Sequence, residues 1–139
     1  MSIRMAVRKD VPILLRLTKE FAKKYHPVPL NSTKAKATIT GLVNTGVVLV
    51  NDTPSGIDGF IAGVLYDDPF RDTTVLTEIG WYSEGKSGAK LLLAFIKAGR
   101  DKQADIVAMG TLESSPKIAE DVLTRVGFTK AESTWTRNL

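Results

Sequence analysis

The chain has 139 residues, of which 43% are hydrophobic and 24% charged, as is typical of a globular protein with one domain. We therefore expect residues 1–139 to form a single domain. The net charge of +4 is spread along the chain without a basic run, which favours an anionic partner such as a phosphorylated cofactor over a nucleic acid. The absence of cysteine excludes disulfides, thiol catalysis and cysteine metal sites, and no other metal site is predicted. No segment reaches the ~20 apolar residues of a membrane span, so a cytoplasmic protein is expected.

The first half of the chain predicts two helices followed by a pair of strands. Apolar residues at helical spacing indicate an amphipathic helix over residues 11–24, with Asp10 as its cap. The remaining predicted elements are a strand at 3–7, a loop at 26–30, a helix at 34–44 capped by Ser32 or Thr33, a strand at 47–50, a hairpin loop at 51–58 and a strand at 59–66.

Residues 75–111 predict a strand, a glycine-bearing turn, a helix and a second strand. The corresponding sequences are VLTEIGWY, SEGKSGAK, LLLAFIKAGRDK and ADIVAMGT. Such a turn exposes backbone N–H groups at the positive end of a helix dipole, where an anion such as a pyrophosphate is stabilised. The apolar run at 106–110 predicts a central parallel strand. A helix opened by Pro116 should bury Ile118, Val122 and Val126, and a last strand or hairpin is predicted at 128–137.

The predicted order is β-α-α-β-β-β-α-β-α-β, one α/β domain with a mixed central sheet. This order, the opening IRMAVRKDVPILLRL and the segment AEDVLTRVGF resemble the GNAT superfamily of acyl-CoA-dependent N-acyltransferases. The segment EIGWYSEGKSGAKLLLAF, followed later by MG, is similar to small GNAT-like proteins of tailed bacteriophages. The resemblance implies a GNAT fold that takes acetyl-CoA as cosubstrate.

The GNAT cofactor signature Q/R-x-x-G-x-G/A falls on six residues of the turn when aligned on the following Leu-Leu. Only Gly88 matches it strictly, and Gly85 lies one residue before the position of the first glycine. The implied cofactor-binding residues are Trp81, Ser83, Gly85, Lys86, Ser87, Gly88 and Ala89. On the last helix, the tyrosine that protonates the CoA thiolate in the family is replaced by Leu123, and the asparagine by Pro116. Cofactor binding is therefore better supported than catalysis.

Glu78 is the candidate general base, because a carboxylate in an apolar strand must be paired or useful. Strict alternation places Glu78, Gly80 and Tyr82 on one face of the strand, with Tyr82 about 13 Å along it. Tyr82 is the candidate replacement acid. Gly80 invites a bulge, which in GNAT proteins separates the central strands so that pantetheine can enter. A simple ion pair for Glu78 and core packing for Tyr82 stay open as alternatives.

The acceptor pocket of GNAT proteins lies between the first two helices, which implicates Tyr25 and His26, and Glu113 follows the second strand near the same place. The expected partner is an amine on a small molecule or a protein, with nucleic acid disfavoured and a homodimer left open. Two other functions remain: a GNAT-fold binding or interaction protein without catalysis, such as a phage accessory or virion protein, and nucleic-acid binding on the basic surface. If the protein is phage-encoded, the expected location is the host cytoplasm.

Overall fold

A five-stranded mixed sheet forms the centre of the computed structural model, which describes residues 2–26 and 28–139. The strands lie in sequence order, β1 to β5. Within the described residues the elements are β1 Ser2–Met5, a 3-10 turn Arg8–Asp10, α1 Val11–Tyr25, α2 Ser32–Thr45, β2 Val47–Thr53, β3 Gly56–Asp67, β4 Thr74–Ser83, α3 Gly88–Asp101, β5 Ile106–Ala108 and α4 Lys117–Arg125. The first nine predicted elements are thus confirmed in order.

The helices cover both faces of the sheet. On one face α1 and α2 enclose an apolar cluster that includes Leu17, Val50 and Phe60. On the other face α3 packs Leu91, Leu92 and Phe95 against the sheet, and α4 adds partly buried residues. Leu91, Leu92 and Phe95 are fully buried, which follows from their 3.6-residue spacing.

β4 and β5 are parallel but pair only over Val75–Thr77 and Ile106–Ala108. β4 then continues to Ser83, while the chain after Ala108 leaves the sheet as a loop. The strand predicted at 106–110 is confirmed as parallel but is wrong as a central strand, because β5 covers only Ile106–Ala108 at one edge of the sheet and Ile106 is half exposed. A wedge-shaped opening results beside the second half of β4.

A bulge in β4 changes the direction in which its side chains point. Ala62 of β3 pairs with Gly80 and the adjacent Gly63 pairs with Glu78, so Ile79 is the extra residue. The bulge predicted at Gly80 is confirmed, with Ile79, the residue before it, as the extra residue. Its consequence was not predicted: the alternation shifts by one residue, as happens when two residues oppose one across a ladder.

Three further expectations are corrected. No strand forms at 128–137, and the described residues after Phe128 carry no helix or strand. The cap of α2 is Asn31, whose side chain accepts the Lys34 N–H, rather than Ser32 or Thr33. Ile118 is 67% exposed instead of buried, because α4 lies over an opening in the sheet rather than on a continuous surface.

Asp10 precedes α1 as predicted but makes no capping hydrogen bond to it. Its carboxylate accepts the Val7 N–H and two hydrogen bonds from Arg4, which also pairs with Asp52. These bonds tie β1 to β2 and to the start of α1. Across residues 2–26 and 28–139 the helices are too short or too polar to cross a bilayer, and the acidic and histidine side chains form no cluster suited to a metal ion.

Candidate functional site

The opening beside β4 is a groove of about 720 Å³. One wall is the second half of β4 with the turn and first residues of α3, and the other is the loop after β5 with one side of α4. Beyond Thr77 this edge of β4 has no neighbouring strand among the described residues. Backbone donors and acceptors of the strand therefore face the groove in alternation.

The turn between β4 and α3 presents free backbone donors to this groove. Within the described chain, no hydrogen bond satisfies the N–H groups of residues 86–89, and the cap residue Ser87 makes no side-chain capping bond. Ser87 is instead buried, with its hydroxyl 2.9 Å from that of Ser83. Gly88 leaves open space, since an added Cβ would meet only Trp81 Nε1 at 3.9 Å. An anion can approach these groups closely.

Trp81 holds the first residue of α3 through a side-chain hydrogen bond. Its indole Nε1–H donates to the Gly88 carbonyl at 3.0 Å, and its ring packs with the cluster under α3. Of the predicted cofactor-binding residues, all except Ser87 line the groove by their side chains or backbone. Their roles stay predictions, but the structure brings them to one place.

The β2–β3 hairpin supports the turn from the other side, which the sequence did not indicate. The Asp58 carbonyl accepts the Glu84 N–H, and its carboxylate accepts a hydrogen bond from buried Asn51 at 2.8 Å. That carboxylate touches Gly85 so closely that a Cβ there would lie 2.5 Å from it. A side chain at residue 85 would therefore displace the Asp58 carboxylate, which contacts the turn at this point. In the sequence, Asp58 is one acidic residue at the end of a segment predicted as a hairpin loop, which does not indicate a contact with the turn.

Basic side chains line the groove. Arg16 of α1 lies outside the lining and is neutralised by an exposed ion pair with Glu84 at 3.1 Å. Lys86 and Arg125 line the groove from opposite walls. Arg125 was not predicted, because its position at the groove depends on how α4 packs, which no sequence pattern indicates. Together with the helix dipole these side chains favour an anionic ligand at the turn.

Glu78 lies in the wall of the groove where β4 and β5 separate. Its Oε1 accepts the Gly110 N–H at 3.0 Å, and no ion-pair partner lies near it among the described residues. Burial raises the pKa of Glu78, and the Gly110 hydrogen bond opposes this rise only in part. A carboxylate with a raised pKa is a stronger base than a solvated one, so beside a cavity it is better suited to accept a proton.

Tyr82 does not share a face with Glu78, so that prediction was wrong. Leu76, two residues before Glu78, packs under α3, whereas Tyr82 is buried in the cluster under α1 and α2. The Ile79 bulge between Glu78 and Tyr82 causes the change. Both side chains still reach the groove, because it passes through the opening in the sheet. The Tyr82 hydroxyl accepts a hydrogen bond from Lys24 at 3.1 Å.

The predicted acceptor residues separate into two groups. Tyr25 and His26 line the groove, and Tyr25, His26 and Tyr82 surround Phe21 with ring centroids 5.2–5.8 Å from its own. The Ser114 hydroxyl donates to the Tyr25 carbonyl, which ties the loop after β5 to the end of α1. Glu113 in that loop is exposed and lines neither this groove nor the cavity under α2. Its predicted role gains no support from its position.

The wall formed by α4 offers no hydroxyl group. It presents Ile118, Ala119, Val122 and Arg125 to the groove, while Leu123 packs into the cluster under α3. The absence of the usual tyrosine, predicted from Leu123, is therefore not compensated by another α4 residue that lines the groove.

Comparison of the whole fold with solved structures identifies its type. No family model and no curated protein matches the chain. A probable acetyltransferase superposes with a TM-score of 0.80 at 15% identity, covering 100% of this chain and 97% of that one. A predicted acetyltransferase from Clostridium acetobutylicum, solved with acetyl-CoA, gives 0.80 at 15%, covering 99% and 95%. The chain has the GNAT fold.

An integron cassette protein from the mobile metagenome of Cole Harbour Salt Marsh also has this GNAT-like shape, with a TM-score of 0.80 at 19% identity over 99% of this chain and 89% of that one. Identities this low establish the fold alone. The narrower resemblance to bacteriophage proteins is not supported by these matches.

Proposed function

We propose that the protein is an acetyl-CoA-dependent N-acetyltransferase that acts on a primary amine. The observation that carries the proposal is the free N–H run at residues 86–89, which opens into a groove that also contains Glu78. The groove and the turn fit acetyl-CoA: the turn suits a pyrophosphate, and the unpaired edge of β4 suits the amides of a pantetheine arm. The solved neighbour with acetyl-CoA has the same fold.

In the proposed reaction the chain positions two reactants and accepts a proton. Acetyl-CoA supplies a thioester carbonyl, to which the amine nitrogen adds as the carbon–sulfur bond breaks and the thiolate leaves. Backbone N–H groups on the free edge of β4 stabilise the negative charge that develops on the carbonyl oxygen. Glu78, or a water that it orders, accepts the proton lost from the amine. Proximity within the groove supplies much of the rate.

The thiolate can leave without a strong acid. A thiol pKa near ~8.5 makes it a good leaving group. Tyr82 and Tyr25 are the phenols that line the groove, and Tyr82 stays the candidate donor. Because no α4 residue that lines the groove can protonate the thiolate, catalysis is expected to be modest.

The cofactor assignment is tested by calorimetry with acetyl-CoA on wild type, Gly88→Glu and Gly41→Glu. Gly88→Glu places a carboxylate against the anion site, and it should weaken binding by at least about 100-fold, or ~2.7 kcal/mol. Gly41 lies in α2 where an added Cβ meets nothing within 4 Å, so Gly41→Glu is the matched control and should bind as wild type. Equal affinity in the two variants would show that the anion site is wrong.

The alternative is a GNAT-fold binding protein without turnover. The α4 wall without a hydroxyl favours it. An amine panel assayed for free CoA thiol discriminates the two: tight acetyl-CoA binding with no turnover for any amine would leave the binding protein as the function.

A further inference from the structure

A second, apolar cavity of about 300 Å³ lies between the sheet and the first two helices. Its floor is formed by Ala62 and Gly80, which pair across β3 and β4 and are both small. Its roof is α2, which contains no fully buried residue and contributes Ala35 and Ile39 to the lining. The cavity exists because two minimal side chains face a helix that does not fill the space above them.

The cavity adjoins the groove that contains the candidate base. Phe21, His26 and Ile79 line both spaces, and Ile79 is the bulge residue that directly follows Glu78. Phe21 and His26 supply aromatic rings at this junction, and the Glu78 carboxylate lines the groove beyond it. An ammonium group here would gain cation–π attraction and would face a groove that contains a carboxylate. A molecule whose amine lies at this junction would extend its other end into the cavity.

The lining of the cavity restricts what that other end can be. Its charged residue is Lys34 at the exposed rim, and no acidic side chain is found among the described residues that line it. A second positive charge would therefore lie in an apolar space without a counter-ion, which is costly. At about 30 Å³ for each water-sized group, the volume suits roughly ten non-hydrogen atoms.

We propose that the acceptor is a primary monoamine with an apolar body of this size, such as an arylalkylamine or a branched alkylamine, and not a polyamine or an amino sugar. The cavity under α2 is its specificity pocket. This inference rests on the proposed transferase function, because it assigns the second substrate of the same site.

The test compares 2-phenylethylamine and 3-methylbutylamine with spermidine and glucosamine in a thiol-release assay with acetyl-CoA. The two apolar amines should be acetylated with kcat/KM at least about 100-fold above the polar pair, as expected when ~2.7 kcal/mol of apolar contact and charge burial separate them. Preferred turnover of spermidine or glucosamine would overturn the proposal.

Variants of α2 connect that preference to the cavity. Ala35→Phe fills the cavity and should raise KM for 2-phenylethylamine at least tenfold with acetyl-CoA affinity unchanged. Ala37→Phe makes the same change two residues along on an exposed position outside the cavity, and should behave as wild type. Ile39→Ala enlarges the space and should shift the preference toward larger amines. Equal KM values in all three variants would show that the cavity does not bind the acceptor.

Direct binding separates failure of this inference from failure of the proposed function. If acetyl-CoA binds but no amine is acetylated, calorimetry with 2-phenylethylamine alone still tests the cavity. Binding that Ala35→Phe abolishes and Ala37→Phe preserves supports an apolar-amine site in a protein that is not a transferase. No binding to wild type would refute the site itself.

Discussion

Replacing Glu78 with glutamine should change turnover and stability in opposite directions. The Glu78 carboxylate has a pKa raised by burial, and it accepts the Gly110 N–H at 3.0 Å. Glutamine offers an amide oxygen at the same place that can accept the same hydrogen bond. The substitution therefore removes the charge of residue 78 and keeps its contact.

Turnover should fall about 100-fold, which corresponds to ~2.7 kcal/mol of lost transition-state stabilisation for a missing general base. The measurement is thiol release at saturating acetyl-CoA with an amine that wild type acetylates. Acetyl-CoA affinity should stay within about twofold of wild type, because the pyrophosphate is expected at residues 86–89 rather than at Glu78.

Stability should rise at neutral pH. As pH increases, the unfolded chain loses the Glu78 proton first, near ~4.3, while the folded protein holds it to a higher pH. The folded state of wild type is therefore destabilised progressively between the unfolded and the folded pKa. Glu78→Gln should match wild type near pH 4 and exceed it above the folded pKa, by about 1.36 kcal/mol for each unit of pKa difference. Urea unfolding at several pH values measures this.

Glu113→Gln is the control, since Glu113 is exposed and outside both cavities. It should leave stability and turnover unchanged. If Glu78→Gln lowered both quantities together, Glu78 would be a structural residue. Unchanged turnover of Glu78→Gln over the full pH profile would remove Glu78 from the mechanism.

Three further predictions concern other features. Tyr82→Phe should lower turnover by less than about tenfold, since loss of an essential acid would cost 10²-fold or more; a larger loss in the thiol-release assay would make Tyr82 that acid. Asp10→Asn removes the carboxylate bound by Arg4, which holds the Asp10 pKa below its usual range. Urea unfolding should show a loss of about 1–2 kcal/mol at pH 7, because Arg4 is partly exposed and keeps Asp52 as a partner. This loss should shrink as pH falls from ~4 through the folded pKa, because wild type then loses the same charge, and a pH-independent loss would contradict the ion-pair explanation. Gly63→Ala places a Cβ 2.5 Å from backbone and ring atoms, so it should cost at least about 3 kcal/mol of unfolding free energy, whereas Gly41→Ala in an open helical position should gain up to ~1 kcal/mol. Similar values for the two would refute the packing argument.

Much of the fold was predictable because local patterns and long-range packing agree. The spacing of apolar residues defined α1 and α3, and the strand–turn–helix at β4 located the groove. The segment after Phe128 shows the opposite case. Its residues have strand-like composition, but the described chain offers them no ladder in the structure, and composition alone does not create a partner.

The candidate site was predictable as a location but not in its geometry. A single bulge residue, Ile79, separates the faces of Glu78 and Tyr82, and no periodic pattern indicates where a ladder gains a residue. Asp58 and Arg125 reach the site from elements distant in sequence, so only tertiary structure reveals them. The cavity under α2 arises because Ala62 has a small side chain and Gly80 has none. No sequence pattern indicates a space that the neighbouring helix leaves unfilled.

The two tryptophans of the chain occupy contrasting environments, and this difference provides a built-in optical probe. Trp135 is 92% exposed, whereas the Trp81 indole is partly buried at the groove and donates to the Gly88 carbonyl. A Trp135→Phe protein would retain one fluorophore, held against the first turn of α3. Its emission would follow occupation of the groove directly, so ligand association could be timed by stopped flow without a label on either partner.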